Sequence, residues 1–178
     1  GLRHGLTAGE KTPEALRERW TGATGKPMFE ALGMSEISTY VSASPATPVR
    51  PGYVGRPQQG RRVAVLGEDG APAPIDETGR LAVARRDPGM MLGYWRRETP
   101  WEGEWFLTGD LAEMDADGYI RITGRSKDII ISGGENVYST EVEQILYQID
   151  GVERCAVIGI PDDKWGEAVH AIIERKAG

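Results

Sequence analysis

The sequence predicts a mixed α/β fold, in which a strand-rich part with an antiparallel, barrel-like subdomain is followed, after a hinge, by a truncated small α/β lobe. Short apolar runs alternate with turn sequences over residues of about 50–125, as expected for antiparallel strands. Helical spacing of apolar residues is evident in two segments. The 24 Gly and 11 Pro residues supply many turns, so short strands are expected.

The first predicted element is a helix near the N-terminus of the chain. Thr12 can cap this helix with its side-chain oxygen. Leu16 and Trp20 share one face because they stand four residues apart. Gly22 and Gly25 are expected to end the helix, since glycine disfavours helical backbone.

Strands are expected after this helix. A short buried strand over residues 27–32 leads into a tight turn over residues 33–36, and residues 42–60 form a connecting loop rich in Pro and Gly. Turn sequences such as residues 68–70 and 115–118 separate the later strands. Those strands are predicted over residues 62–66, 79–84, 105–107, 111–114 and 119–122.

Residues 123–136 join a charged turn, an apolar strand and two adjacent glycines. This pattern predicts a solvated hinge and a buried strand, followed by a loop whose backbone can approach a ligand. Thr140 and Glu143 have the spacing of a capping box, and apolar residues recur at helical spacing until Gly151. A strand over residues 154–160 then completes the opening of a β-α-β lobe.

Composition excludes several classes of function. Acidic residues outnumber basic ones, 27 to 21, and the formal net charge of −6 disfavours binding to nucleic acid or to an anionic membrane surface. No apolar run approaches the roughly 20 residues of a membrane-spanning helix. Cys155 is the one cysteine and stands in an apolar run, which predicts an inert, buried thiol in a reducing, cytoplasmic protein. The expected partner is a small molecule or another protein.

Two charged residues form the first candidate site. Asp110 can accept two hydrogen bonds from a ribose diol, although an Asp after Gly109 is also common in turns. Arg125 stands 15 positions later, across one hairpin, and can reach the same sugar or a phosphate with its planar guanidinium. The two residues together predict a ligand site more strongly than either residue alone.

A second candidate site lies in the turn after the first buried strand. The Ser35 hydroxyl can donate to a phosphate oxygen and the Glu36 carboxylate can hold Mg²⁺, while an ordinary loop serine and a surface glutamate are the alternative. Gly133 and Gly134 lack the Gly-Lys-Ser/Thr core of a phosphate loop, which favours backbone lying along a linear ligand. Residues 113–118 imitate a calcium loop, but a hairpin turn is favoured there.

Three motifs, in this order and spacing, resemble the adenylate-forming (AMP-binding) acyl-CoA synthetase family: LGMSE at residues 32–36, TGD at residues 108–110 and GRSKDIIISGGENVY at residues 124–138. The resemblance implies a ligase that uses ATP, Mg²⁺ and coenzyme A. A carboxylic acid attacks the α-phosphate of ATP, and the thiol of coenzyme A then displaces AMP. Residues 1–127 would end a large nucleotide-binding lobe, and residues 128–178 would begin a small mobile lobe.

The resemblance also implies roles for individual residues. Ser35 would lie near the α-phosphate and Glu36 would bind Mg²⁺. Asp110 and Arg125 would contact the ribose. Lys127 falls at the hinge position.

The remaining nucleotide-binding positions are implied by the same resemblance. Gly9 and Glu10 resemble the loop between the nucleotide and the acyl pocket, where a small residue lets both ligands approach. Leu32, Gly33 and Met34 belong to the nucleotide-binding motif. Leu32 stands where the family usually places an aromatic residue under the adenine, so the contact expected from it is apolar.

Gly133 and Gly134 would line the coenzyme A channel when the small lobe rotates. The sequence around them favours coenzyme A over the carrier protein that a peptide-synthetase adenylation domain uses as acceptor. The family's upstream phosphate loop and downstream catalytic lysine have no counterpart in the sequence, so a fragment that is inactive by itself is expected. A non-catalytic nucleotide-binding module is the other alternative.

Overall fold

The computed structural model describes residues 1–9, 12 and 14–176, and the side chain of Glu14 is not included. The chain divides into two compact units. The N-terminal unit contains residues 1–108 and 112–122. The C-terminal unit contains residues 109–111 and the chain from Thr123 onward. Each unit is described by itself.

The N-terminal unit begins with a four-stranded sheet in the order β1-β2-β3-β4. Its elements are β1 (Gly5–Ala8), α1 (Glu14–Thr24), β2 (Met28–Met34), β3 (Ser38–Ser42) and β4 (Arg56–Pro57). Strands β1 and β2 are parallel and are joined through α1, whereas β3 pairs antiparallel with both β2 and β4. The carboxyl ends of β1 and β2 therefore meet at one edge of the sheet.

Helix α1 differs from the prediction at both ends. Gly22 lies inside the helix, and the chain leaves the helix at Gly25, whose φ of 62° favours glycine. Thr12 is buried, and its hydroxyl has no hydrogen-bond partner among the described residues, so the predicted cap is wrong.

A second sheet of five strands follows in the N-terminal unit, with parts of its last two strands assigned to the C-terminal unit. Its order is β5-β6-β8-β7, and β9 pairs with β8. The strands are β5 (Val63–Leu66), β6 (Gly79–Ala84), β7 (Trp101–Glu102), β8 (Trp105–Met114) and β9 (Ile120–Arg125). The barrel-like prediction is wrong, because these strands form an open sheet and no closed barrel occurs in the described chain.

A single strand replaces two that the sequence predicted. Residues 105–107 and 111–114 belong to one continuous strand, β8, because Gly109 takes a φ of 83° within it without ending the ladder. Asp110 therefore lies inside a strand and not at a strand end.

The core of the N-terminal unit is formed by apolar side chains of both sheets and the loops between them. Tyr40, Ile37 and Leu81 are fully or almost fully enclosed. The cluster also includes Val41, Val54, Val65, Val83, Phe106, Ala112 and Ile120. Its burial contributes to the hydrophobic stabilisation of this unit.

The C-terminal unit has a four-stranded antiparallel sheet in the order β11-β10-β13-β12. A short 3-10 helix at Ser126–Asp128 precedes it. The other elements are β10 (Ile129–Ser132), β11 (Glu135–Tyr138), α2 (Ser139–Leu146), β12 (Val152–Asp162) and β13 (Gly166–Arg175). The predicted strand, helix and strand are present in order, and together with the first unit they confirm the mixed α/β fold.

The predicted capping box of α2 is wrong. Tyr138 occupies the N-cap position without a side-chain hydrogen bond, and Thr140 already lies in the first turn. The Thr140 hydroxyl donates to the carbonyl of Thr123, and a Glu143 carboxylate oxygen accepts the Val157 N–H at 2.8 Å. Both side chains therefore form hydrogen bonds with residues outside the helix and do not cap it.

The thiol of Cys155, which the sequence predicts to be buried, is only half-buried. Its sulfur lies 3.7 Å from the carbonyl oxygen of Glu143. Residues 115–118 form the hairpin turn between β8 and β9, in which Asp115 and Asp117 bind the guanidinium of Arg50. No helix in the described chain is both long and apolar enough to span a membrane.

Candidate functional site

The turn between β2 and β3 carries the first group of candidate residues. The register of the pair shifts at Leu32 and Gly33, so the strand bulges immediately before the turn. A Cβ on Gly33 would lie only 3.0 Å from the Ser38 carbonyl oxygen, so this close approach favours glycine. The Ile37 N–H then closes the turn on the carbonyl of Met34 at 3.1 Å.

Packing of alternate residues fixes the orientation of this turn. Leu32 and Met34 are half-buried and pack against the core of the N-terminal unit. Ile37 is completely buried on the other side of the turn. Ser35, between these anchors, is exposed, and Glu36 is half-buried. The structure therefore presents the Ser35 hydroxyl to solvent while holding the backbone on both sides.

Glu36 is held by a loop that is distant in sequence. The Tyr94 hydroxyl donates to Oε1 of Glu36 at 2.8 Å, and the Met91 N–H donates to the Glu36 carbonyl at 2.7 Å. The hydrogen bond to the Glu36 carboxylate raises the pKa of the Tyr94 phenol above its ordinary value. Tyr94 was missed by sequence reasoning, and the one signal for it is an aromatic pair following Gly93 in a charged loop.

The residues around Glu36 fit a magnesium ion that is shared with a bound phosphate. Mg²⁺ usually takes one or two protein carboxylates and completes its shell with water and substrate phosphates. The Tyr94 hydrogen bond uses one of the two carboxylate oxygens of Glu36. Within the described chain, no group of three or more His, Cys, Asp or Glu residues could hold a metal. Glu36 would therefore serve as a protein carboxylate in a magnesium shell completed by water and phosphate oxygens.

Gly9 lies at the same sheet edge as this turn. Ala8, the last residue of β1, pairs with Ala31 of β2, so Gly9 follows β1 beside the strand that contains Leu32. Its φ of 99° favours glycine, and a Cβ there would meet no atom within 4 Å. Ligands of α/β folds commonly bind at the carboxyl ends of parallel strands. Glu10 lies outside the described residues.

The second candidate site lies in the C-terminal unit. Arg125 Nε lies 3.3 Å from Asp110 Oδ1, so the structure brings these two side chains together. The Asp110 side chain is 18% exposed and that of Arg125 is 54% exposed. Gly109, with a positive φ, precedes Asp110, and a Cβ on Gly109 would lie 3.9 Å from the Arg125 guanidinium. This arrangement combines an acceptor and a donor on one partly solvated surface.

The remaining candidates also lie in the C-terminal unit. Lys127 is exposed on the short 3-10 helix. Gly133 and Gly134 form the two-residue turn between β10 and β11, with φ values of 60° and 86°. Trp165 packs against this turn, because a Cβ on Gly133 would come within 2.7 Å of its ring. Turn geometry and packing therefore account for both glycines.

Comparison with known proteins identifies close similarity over both units. A family model described as "AMP-binding enzyme" matches residues 1–95, and one described as "AMP-binding enzyme C-terminal domain" matches residues 141–178. The feruloyl-CoA synthase of an Amycolatopsis species is 40% identical over 179 residues, which cover 97% of this chain and 36% of that protein. The chain thus spans about a third of the length of this relative.

Solved structures show the same similarity. The crystal structure of ATP-bound MatB from Rhodopseudomonas palustris matches with a TM-score of 0.85 and 32% identity, over 96% of this chain and 35% of that one. The anthranilate CoA ligase AuaEII, in complex with anthranoyl-AMP, matches with a TM-score of 0.79 and 35% identity. That match covers 97% of this chain and 34% of the ligase.

Proposed function

The chain belongs to the AMP-binding enzyme family, and on this premise we propose that it is part of an ATP-dependent ligase joining a carboxylic acid to coenzyme A. Feruloyl-CoA synthase and the anthranilate CoA ligase are both named for transfer to coenzyme A. In the first step a carboxylate oxygen bonds to the α-phosphorus of ATP and pyrophosphate leaves. In the second step the thiol attacks the acyl carbon and AMP leaves.

The pairing of Asp110 with Arg125 is the observation that carries this proposal. A carboxylate can accept hydrogen bonds from both hydroxyls of a ribose, and these charge-assisted bonds are stronger than neutral ones. The neighbouring guanidinium, whose Nε lies 3.3 Å from Oδ1, restricts the orientation of the carboxylate. Together they would hold the sugar of ATP during the first step and of AMP during the second.

The turn between β2 and β3 supplies the groups for the phosphates. The exposed Ser35 hydroxyl would donate to an α-phosphate oxygen, and Glu36 would bind Mg²⁺. Leu32, Gly33 and Met34 would lie beside the adenine, and Gly9 would border the acyl pocket. When bound, Mg²⁺ neutralises charge on the phosphates as pyrophosphate departs.

The C-terminal unit would supply the mobile part of the enzyme. We place the domain boundary at residues 127 and 128, with Lys127 as the hinge, and the β subdomain at about residues 50–125. The hairpin turn at Gly133 and Gly134 would line the coenzyme A channel after rotation. The proposal includes a cytoplasmic location, which suits a chain with one half-buried cysteine, Cys155.

The proposal is tested by a pyrophosphate-release assay on the complete protein with a panel of carboxylic acids. We expect release with ATP and Mg²⁺, and formation of an acyl-CoA only when coenzyme A is added. Pyrophosphate release without acyl-CoA formation would indicate a carrier-protein acceptor, and the absence of nucleotide-dependent chemistry would indicate a binding module. The 178-residue chain alone is expected to release no pyrophosphate.

A further inference from the structure

We propose that Tyr94 is a positioning residue for the Glu36 carboxylate, and that residues 87–94 form a strap that presents this carboxylate to Mg²⁺. The inference rests on the proposed function, because it concerns the metal of that reaction. The strap contacts Glu36 twice: Met91 N–H binds its carbonyl at 2.7 Å and the Tyr94 hydroxyl binds Oε1 at 2.8 Å. Backbone and side chain of Glu36 are therefore fixed by one segment.

The base of the strap is anchored by a buried carboxylate. The Asp87 side chain is completely buried and accepts hydrogen bonds from the N–H groups of Arg62 at 2.7 Å and Gly89 at 2.8 Å. It also pairs with the Arg61 guanidinium at 2.5 Å. A buried carboxylate with this many donors has a single orientation. The start of the strap is therefore rigid.

The same arginine holds the turn that contains Glu36. Arg61 donates to the carbonyl of Ile37 at 2.9 Å and to that of Thr39 at 3.1 Å. Ile37 directly follows Glu36 in the chain. One guanidinium therefore ties the start of the strap, through Asp87, to the backbone beside Glu36.

The network restricts which residue can occupy position 89, at the start of the strap. A Cβ on Gly89 would lie 1.6 Å from Nη1 of Arg61, so glycine is required for the guanidinium to cross the strap. The contact is with a side chain that is itself bound on three sides, which prevents it from moving aside at low cost. Arg61, Asp87 and Gly89 therefore act as one unit.

The hydrogen bond from Tyr94 limits the rotation of the Glu36 carboxylate, and this orientation matters for binding a cation. A carboxylate that binds Mg²⁺ through one oxygen can rotate unless its second oxygen is held. The phenol donates to Oε1, so Oε2 would be the oxygen available to hold Mg²⁺. Hydrogen bonds to metal-binding carboxylates orient them, and their loss typically lowers metal affinity about 10- to 100-fold.

The test compares Tyr94→Phe with wild type in the complete protein. Pyrophosphate release is titrated with Mg²⁺ at saturating ATP and acid. We expect the Mg²⁺ concentration for half-maximal rate to rise at least about tenfold in Tyr94→Phe, with a smaller fall in maximal rate. Tyr53→Phe is the matched control, since Tyr53 contacts the ring of Tyr119 in the same unit. It should leave the Mg²⁺ dependence unchanged.

A second measurement does not depend on activity. The ultraviolet titration of wild type minus that of Tyr94→Phe isolates the Tyr94 phenol, which should ionise above the ordinary tyrosine range. Glu36→Gln should return it toward that range, because the neutral amide no longer opposes a phenolate. A wild-type Mg²⁺ dependence in Tyr94→Phe, with active protein, would overturn the positioning role alone. Absence of pyrophosphate release from the wild type would instead remove the proposed function, and the metal role with it.

Discussion

Asp87 illustrates how one residue can combine burial with a full charge. Burial opposes ionisation and is the largest single influence on its pKa. The N–H groups of Arg62 and Gly89 and the Arg61 guanidinium act in the other direction, and together they hold the pKa below the ordinary value of 3.8. The charged form is therefore the one that the folded state stabilises.

This shift predicts an acid-dependent contribution to stability. A carboxyl whose pKa is lower in the folded than in the unfolded state stabilises the fold above pH 3.8, and the effect is lost as pH falls through the folded-state pKa. Asp87→Asn should lower the free energy of unfolding by about 3 kcal/mol at neutral pH, because Arg61 loses its buried partner. Urea denaturation at several pH values should show this difference shrinking below about pH 4. A difference that stays constant in acid would contradict the assignment.

A substitution at Gly89 tests the same network without changing the charge of any residue. Gly89→Ala should displace Arg61 and lower the free energy of unfolding by about 3 kcal/mol, as expected when a buried ion pair is broken. Gly22→Ala in α1 is the control, since a Cβ there meets no atom within 4 Å. That control should raise stability by roughly 0.5–1 kcal/mol, because alanine favours helix. Equal effects of the two substitutions in urea denaturation would be inconsistent with the packing described.

Secondary structure was predictable where local signals act alone. Strands β5 and β6 follow apolar runs bounded by turn residues and lie within one residue of their predicted limits. The break predicted at Gly109 and the cap predicted at Thr140 were wrong for a different reason. A positive φ inside β8 and a tertiary hydrogen bond from Thr140 depend on neighbours that the local sequence does not specify.

Helix α2 is expected to depend on Glu143 for its attachment to β12. The Glu143 carboxylate accepts the N–H of Val157, a buried residue, at 2.8 Å. Glu143→Ala leaves that N–H without its partner and should cost about 1–3 kcal/mol. Hydrogen exchange of the Val157 amide should accelerate accordingly.

Two variants separate this hydrogen bond from a general effect on the helix. Glu143→Gln retains a side-chain oxygen and should restore most of the protection at Val157. Gln144→Ala alters a neighbouring exposed position of α2 and should leave the exchange rate unchanged. Loss of protection in Gln144→Ala equal to that in Glu143→Ala would show that a general effect of substitution in α2, and not the hydrogen bond, is responsible.

At the scale of the whole molecule, sequence separation decided which parts of the candidate site could be found. Asp110 and Arg125 were paired from sequence because one hairpin separates them, and the structure places them 3.3 Å apart. Tyr94 lies 58 residues from Glu36, and no periodicity or motif connects the two. Such long-range contacts become visible only when the strands have been arranged in space.

The central claim is that Asp110 and Arg125 bind the ribose of the nucleotide. Isothermal titration calorimetry of the complete protein can compare ATP with 2′,3′-dideoxy-ATP, which lacks both sugar hydroxyls. Wild type should prefer ATP by at least about tenfold, the value of one hydrogen bond to a charged group. Asp110→Ala should lose most of this preference, while Glu68→Ala, at an exposed turn, should keep it. An undiminished preference for ATP in Asp110→Ala would contradict the claim.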